Sequence, residues 1–214
     1  MENYRRAIKL NNDLTYPYFQ IAISLGLLER SSEKIEQLNT IIESFPNSTI
    51  VDDCYFELAT TYANSELFEK ALINYNLIIE NFPKSIFVPK VFLNKGLILY
   101  NNGDLKNSES LLREYVKRFP TEITVTQALS ILKEIAVEKN SVEEFSIWIK
   151  STGLSSVSEL EIEKASISAI EILKDQKKEK QLKKALEDYI TNYPNGLDVK
   201  KMSFLLGEIL YANK

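Results

Sequence analysis

Apolar residues recur along most of the chain with a period of 37 residues. Steps of that size from Leu25 meet an apolar residue every time, ending at Leu210. A second column, which starts at Leu38, is also apolar throughout, and a third, which starts at Ala22, holds small residues in four of six places. Self-similarity at a fixed spacing of this length is typical of proteins built from stacked structural repeats.

Two helices are predicted within each period. The apolar residues between Tyr55 and Tyr62 stand at i, i+3, i+4 and i+7, which places them on one face of a helix. A second apolar stripe runs from Ala71 to Ile78. In three successive periods, a short polar turn is predicted between the first and the second helix, at 63–66, 101–104 and 138–141.

An aromatic residue followed by proline closes most periods. Pro46, Pro83 and Pro120 are 37 residues apart, and Pro194 follows after 74, each preceded by Phe or Tyr. Proline cannot continue a helix, so these pairs are predicted to end the second helix of each hairpin. The aromatic residue is expected to fill the gap between neighbouring hairpins. N-caps of the following helices are predicted at Ser48, Ser85 and Thr121.

The residues of one period resemble those of the tetratricopeptide repeat (TPR). Its eight signature places are filled by Tyr55, Leu58, Ala59, Tyr62, Ala71, Tyr75, Ile78 and Pro83, with Ile78 replacing a usual Ala. The resemblance implies an all-α, right-handed superhelix, a TPR solenoid of about five helical hairpins. We expect a single solenoid segment over 1–214, with units at 1–13 (partial), 14–47, 48–84, 85–121, 122–157 (degenerate), 158–195 and 196–214 (partial).

The unit at 122–157 departs from the pattern. Lys133 takes the small position, Phe145 replaces Ala, and no proline closes the unit near residue 157. We therefore expect a shorter second helix and a local change in superhelical twist. The single Trp148 lies in that helix, where core packing is the favoured role and a partner-facing anchor is the alternative.

The two ends of the chain read as half-built hairpins. Tyr4 and Ala7 fit signature places of a second helix, and 196–214 reads as a first helix without its partner, so we expect a segment of a longer protein. The long repeat ending in Phe-Pro resembles those of Gram-negative cell-envelope proteins, such as outer-membrane assembly lipoproteins and the coordinator of cell-envelope constriction. The last third resembles large multi-repeat Bacteroidota proteins. These resemblances imply the periplasm or cell envelope, with the cytoplasm as the alternative.

Composition and charge narrow the range of partners. Apolar residues make up 44% of the chain and charged residues 26%, with a formal net charge of -4 and both signs interspersed. Nucleic-acid binding requires a basic surface, which this sequence lacks. No segment approaches the roughly 18 apolar residues of a membrane span. We therefore expect neither nucleic-acid binding nor direct membrane insertion, and the oligomeric state stays open.

No arrangement of residues in the sequence indicates catalysis, a cofactor or a metal site. The chain has no histidine and one cysteine, Cys54, which removes the commonest general base and zinc ligands. Asp52 and Asp53 are adjacent and so diverge on a helix, and the three acids from Glu159 to Glu163 likewise splay around a helix start. Helix stabilisation by acids near an N-terminus accounts for them. We expect a protein that is not an enzyme.

The TPR resemblance implies a concave face made by the first helices. Candidate partner-binding residues carried over to this chain are Tyr16, Phe19, Ile23, Asp53, Phe56, Thr60, Lys90, Leu93, Leu97 and Tyr100. Phe19 and Ile23 replace the polar groups with which some TPR domains hold a carboxylate, which disfavours a cochaperone. We expect a non-catalytic scaffold that binds a peptide or helix of another protein. A purely architectural spacer or oligomerisation segment and a carbohydrate-active envelope module are the alternatives.

Overall fold

A computed structural model describes residues 15–154 and 157–212 of the protein. All the regular secondary structure over these residues is helical. Within those ranges there are eleven helices: α1 Thr15–Leu27, α2 Ser31–Ser44, α3 Val51–Asn64, α4 Phe68–Asn81, α5 Val88–Asn101, α6 Leu105–Arg118, α7 Val125–Glu138, α8 Val142–Thr152, α9 Glu159–Asp175, α10 Glu179–Asn192 and α11 Val199–Ala212. The prediction of an all-α protein is confirmed. The described residues up to Gly103, with α1 to α5, form one compact unit (unit 1), and those from Asp104, with α6 to α11, form a second (unit 2).

Five turns each contain one residue in the left-handed conformation: those between α1 and α2, α3 and α4, α5 and α6, α7 and α8, and α9 and α10. These residues are Glu29, Glu66, Gly103, Asn140 and Lys177, spaced 37 residues apart, with φ between 53° and 78°. The following backbone N–H reaches back across the helix end: Leu67 N donates to the Tyr62 carbonyl at 2.9 Å. This bond satisfies a carbonyl that the helix end would otherwise leave open. The turns predicted at 63–66, 101–104 and 138–141 are confirmed.

The aromatic residues before the prolines end the second helices, as predicted. Phe45, Phe82, Phe119 and Tyr193 follow α2, α4, α6 and α10 and share a φ close to -130°. Phe45 lies 6.0 Å from the Tyr18 ring of its own hairpin and also packs against a cluster that includes Cys54 of the next. The ring therefore packs within its hairpin as well as toward the neighbouring one.

The predicted N-caps were wrong. The helices α3, α5 and α7 begin at Val51, Val88 and Val125, directly after Ile50, Phe87 and Thr124, and have no side-chain cap. The reason is an extra turn after each proline, in which Ser48 N donates to the Phe45 carbonyl at 3.0 Å and Val51 N donates to the Ser48 carbonyl at 3.3 Å. Real side-chain caps are at Asp104 for α6 and at Ser158 for α9.

Small and aliphatic side chains fill the core of unit 1. Ala22, Leu38 and Ile41 are completely buried, as is Cys54, and they form one cluster from α1, α2 and α3. Ala59, in the same small-residue column as Ala22, is also completely buried. A larger side chain at these positions would force neighbouring helices apart.

The core of unit 2 contains the degenerate hairpin. The helix α8 has 11 residues, against 14 in α6 and α10, so the predicted shortening is confirmed. Phe145, which replaces the usual Ala, is completely buried. Lys133 stands at the position that is small in most other periods, and its long side chain places the ammonium 3.6 Å from Glu161 Oε1.

Of the two half-hairpins predicted at the ends of the chain, the structure describes one. The second helix predicted at 1–13 lies outside the described residues. At the other end, α11 forms as predicted and exposes Phe204 and Tyr211 at 69% and 81%. Among the described helices, none combines the length and apolar character needed to cross a membrane.

Candidate functional site

Three first helices of unit 1 carry all ten predicted partner-binding residues. On α1, Tyr16 is 59% exposed, whereas Phe19 and Ile23 are half-buried. The three side chains share a face because they are spaced at i, i+3 and i+7. Phe19 also packs against the core cluster that includes Leu38 of α2. One edge of its ring is thus fixed by the core, and Tyr16 is the residue of the three with the most free surface.

Phe56 of α3 is part of an aromatic group within unit 1. Its ring stacks on Phe87, with centroids 4.5 Å apart and planes 16° from parallel, and lies 6.0 Å from Tyr75. Offset stacking and tilted contacts of this kind add to the free energy of simple burial. Phe56 is half-buried, so these contacts hold one face of the ring and set its orientation.

A buried tyrosine links α3, α4 and α5 beneath this group. Tyr75 is 1% exposed, and its hydroxyl accepts a hydrogen bond from Asn94 Nδ2 at 2.9 Å. Burial raises the pKa of Tyr75, while hydrogen bonds with Thr60 and Asn94 act to lower it. Thr60 Oγ1 also donates to the Phe56 carbonyl at 2.9 Å, one turn earlier in the same helix.

The structure adds residues that were missing from the sequence-based set. Phe87 and Asn94 touch Phe56 and Tyr75 but were not chosen. Asn94 could have been found, because it stands four residues after Lys90 and three before Leu97 on the same helical face. Phe87 directly precedes α5 in a turn, where helical spacing has no predictive value.

The residues predicted on α5 differ widely in exposure. Lys90 is exposed, and Leu97 and Tyr100 are half-buried. Leu93, in contrast, is 4% exposed. Leu93 therefore has almost no side-chain surface that a partner could contact, and it belongs to the core instead.

Asp53 is one of three carboxylates in the first two turns of α3. Burial raises the pKa of Asp53, and the neighbouring Asp52 raises it further. Burial, with the carboxylates of Asp53, Asp52 and Glu57, raises the pKa of Cys54 to about 12. Glu57 accepts a hydrogen bond from Lys34 Nζ at 2.6 Å, and Lys34 is 12% exposed. Over the described ranges, no group of three or more acidic, Cys or His side chains could hold a metal ion.

Trp148 of unit 2 packs against its own unit. The Arg113 guanidinium lies over the indole, 4.4 Å from its centroid, and Phe145 is 6.0 Å away. A cation over an aromatic face is attracted by the ring quadrupole. The indole is half-buried, and these contacts agree with the packing role favoured for it.

Comparison with known proteins identifies the fold. Neither a protein-family model nor a curated protein sequence matches the chain. Among solved structures, YrrB, described as a TPR protein with an unusual peptide-binding site, has a TM-score of 0.58 and 14% identity and covers 92% of this chain and 97% of its own. The fold of this chain is TPR-like. The predicted fold class is thereby confirmed.

Two further solved structures have a similar likeness. The apo form of the quorum sensor NprR from B. thuringiensis has a TM-score of 0.55 and 14% identity, covering 95% of this chain and 67% of that one. BtubC from P. vanneervenii has a TM-score of 0.54 and 13% identity, covering 91% of this chain and 88% of that one. At these identities the likeness concerns the fold.

Proposed function

We propose that this protein is a non-catalytic scaffold that binds a peptide or helix of another protein on the first-helix face of unit 1. That face is defined by Tyr16, Phe19, Ile23, Asp53, Phe56, Thr60, Lys90, Leu97 and Tyr100, with Leu93 as its buried support. The observation that carries the proposal is the 59% exposure of Tyr16 beside the half-buried Phe19 on a TPR-like fold.

Aromatic side chains suit this role because they lose little conformational entropy on binding. Tyr and Trp anchors dominate many interfaces for that reason, and each buries a large area. Phe56 is held by Phe87 before any partner arrives, which reduces the ordering cost of binding. Asp53 and the exposed Lys90 add one charge of each sign, which would orient a bound segment.

The repeat organisation and cellular setting belong to the same proposal. The positive φ values at residues 29, 66, 103, 140 and 177 support a 37-residue unit within the divisions set out above. A cell-envelope location is supported by the resemblance of the Phe-Pro-ended repeats to those of Gram-negative envelope proteins, and a Bacteroidota origin by the resemblance of the last third of the chain. Fractionation of the native cells, with immunoblotting for the protein, tests this location directly.

An architectural role is the second candidate, and α11 favours it. Phe204, Leu210 and Tyr211 are 69%, 44% and 81% exposed on this helix. Light scattering across a concentration series tests self-association of this face. A wild-type oligomer that dissociates in Phe204→Ser/Tyr211→Ser, but not in the exposed polar variant Lys200→Ser, supports an oligomerisation segment. A monomer at every concentration removes the oligomerisation role and leaves that of a spacer.

Peptide selection tests the scaffold proposal without a known partner. Phage-displayed random dodecapeptides are selected on the whole protein, and the Kd of an enriched peptide is measured for wild type, Tyr16→Ala and Ile73→Ala. Ile73 is a matched control, 58% exposed on the second helix α4. Tyr16 is preferred to Phe56 because truncating Phe56 would also unstack Phe87.

The two variants should separate clearly. We expect Tyr16→Ala to weaken binding about tenfold, as for an aromatic anchor, and Ile73→Ala to leave the Kd nearly unchanged. An unchanged Kd in Tyr16→Ala would exclude this face, and a failure to enrich any peptide would count against the scaffold role itself.

A further inference from the structure

A cleft of about 550 Å³ lies within unit 2, and none of the residues proposed above lines it. Its walls come from α8, α9 and α10, and from the turn before α8. It lies at the degenerate hairpin, where α8 ends three residues short of the usual second-helix length. A cleft of this volume is in the range that holds a small ligand or a few side chains.

Acidic side chains dominate the charge of the cleft. Its lining includes five carboxylates and two lysines. Glu143, Glu144 and Glu159 are exposed and Asp188 is half-buried, and within the described residues no ion pair neutralises these four. Elsewhere in unit 2, Glu109, Glu114, Glu161, Glu171 and Glu187 each have a lysine or arginine partner. With two lysines against five carboxylates, the cleft therefore has a net negative charge.

Apolar side chains lie beside these carboxylates. Ile147 of α8 is 64% exposed and Leu160 of α9 is 48% exposed, and both line the cleft. Exposed aliphatic residues next to unpaired acids form the complement of a lysine or arginine side chain. Such a side chain has an apolar stem and a charged end, and it buries the stem while the head stays with polar partners.

A fixed carboxylate lies deeper in the cleft. Glu163 lines it and is 8% exposed. Its Oε1 accepts hydrogen bonds from the Tyr189 hydroxyl at 2.7 Å and from Leu197 N at 2.5 Å. These bonds hold the carboxylate in one position, so the negative charge there is preorganised and needs no rearrangement to attract a cation.

We infer that this cleft binds a short basic segment of a partner protein, with a lysine or arginine stem against Ile147 and Leu160 and its cationic head among the carboxylates. Electrostatic complementarity of this kind provides selectivity between partners and speeds their encounter. The cleft shares no residue with the first-helix face of unit 1, so one chain would present an aromatic surface and an acidic cleft to different segments.

The probe is the peptide acetyl-Leu-Arg-Leu-Lys-amide, with acetyl-Leu-Glu-Leu-Glu-amide as its charge-reversed counterpart. Amide chemical shifts of the ¹⁵N-labelled whole protein are followed during titration with each peptide. We expect saturable binding of the basic peptide only, with shifts confined to α8, α9 and α10. Raising the salt concentration should weaken it, because exposed charges are screened.

Two matched double variants identify the charges responsible. Glu144→Gln/Asp188→Asn removes two cleft charges, and Glu122→Gln/Asp175→Asn removes two exposed charges outside it, so both have the same net charge. We expect the first pair to weaken binding about fivefold and the second to leave it nearly unchanged. The exposed Ile147→Ser should also weaken binding roughly fivefold through lost apolar contact.

Three results would overturn the inference. The first is no saturable binding of the basic peptide, and the second is equal binding of the acidic one. The third is equal weakening in the two double variants, which would mean that the peptide responds only to the net charge of the protein.

Discussion

Tyr189 donates its hydroxyl hydrogen to Oε1 of Glu163 across 2.7 Å, joining α10 to a carboxylate of α9 that is almost fully buried. Leu197 N donates to the same oxygen, and Asp198 N donates to the Tyr189 hydroxyl at 3.2 Å. The pair thus also binds the segment that leads into α11. A buried carboxylate is tolerated when its hydrogen bonds are satisfied, and here the backbone supplies part of that satisfaction.

Removing the tyrosine hydroxyl should destabilise the protein. Tyr189→Phe keeps the ring but deprives Glu163 of one donor, so we expect a loss of about 1–3 kcal/mol in the free energy of unfolding. Urea denaturation followed by circular dichroism measures it. The control is Tyr211→Phe, at a residue that is 81% exposed, and it should be neutral. Equal stability of the two variants would show that the bond contributes nothing.

The same tyrosine should make stability fall at high pH. Burial, together with the hydrogen bond to Glu163, raises the pKa of Tyr189 from 10.0 to about 12. Between those values the unfolded chain loses the phenolic proton while the folded chain keeps it, so stability is full below pH 10 and declines from pH 10 to 12. Urea midpoints across this range should fall more steeply in wild type than in Tyr189→Phe. Parallel curves for the two proteins would contradict the assignment.

Gly196 is required for space around this pair. A Cβ added there would collide with Glu163 Oε1 and lie 2.9 Å from the Tyr189 hydroxyl oxygen. We therefore expect Gly196→Ala to cost about 1–3 kcal/mol, as overpacking does. Gly207→Ala is the matched control, because nothing lies within 4 Å of its added Cβ and Ala is the better helix former. Thermal unfolding should show opposite shifts, and a neutral Gly196→Ala would indicate that the segment yields.

Much of the fold could be predicted because the features that define it recur. The turns at residues 66, 103 and 140 and the helix ends at Phe45 and Phe82 follow from local residue types repeated in phase. The N-caps could not be predicted, since Ser48 and Ser85 precede a turn whose length depends on the backbone after the proline.

The candidate sites were less predictable, because they depend on residues that do not recur. Glu163 was expected to point away from its neighbouring acids at a helix start. It is instead buried and accepts a hydrogen bond from Tyr189, 26 residues later in the sequence. The available signal was Gly196, which stands where other periods have Ser48, Ser85 and Glu122. A glycine without positive φ at such a place indicates a close neighbour, but the sequence does not say which one.

The single cysteine should be unreactive in the folded protein. Cys54 is completely buried, and burial raises the pKa of its thiol to about 12. Disulfide-exchange reagents react with the thiolate, so labelling at pH 8 should be about a thousandfold slower than in denaturant. A chromogenic disulfide reagent measures both rates on the same sample. Rapid stoichiometric labelling of the native protein would show that α3 opens readily.

Amide chemical-shift mapping tests most directly whether the first-helix face of unit 1 binds a peptide or helix. The ¹⁵N-labelled protein is titrated with a peptide enriched by the dodecapeptide selection. We expect saturable shifts that concentrate on α1, α3 and α5 around Tyr16, Phe56 and Lys90, and that weaken in Tyr16→Ala. Shifts confined to second helices or to unit 2, with Tyr16→Ala binding as tightly as wild type, would contradict it.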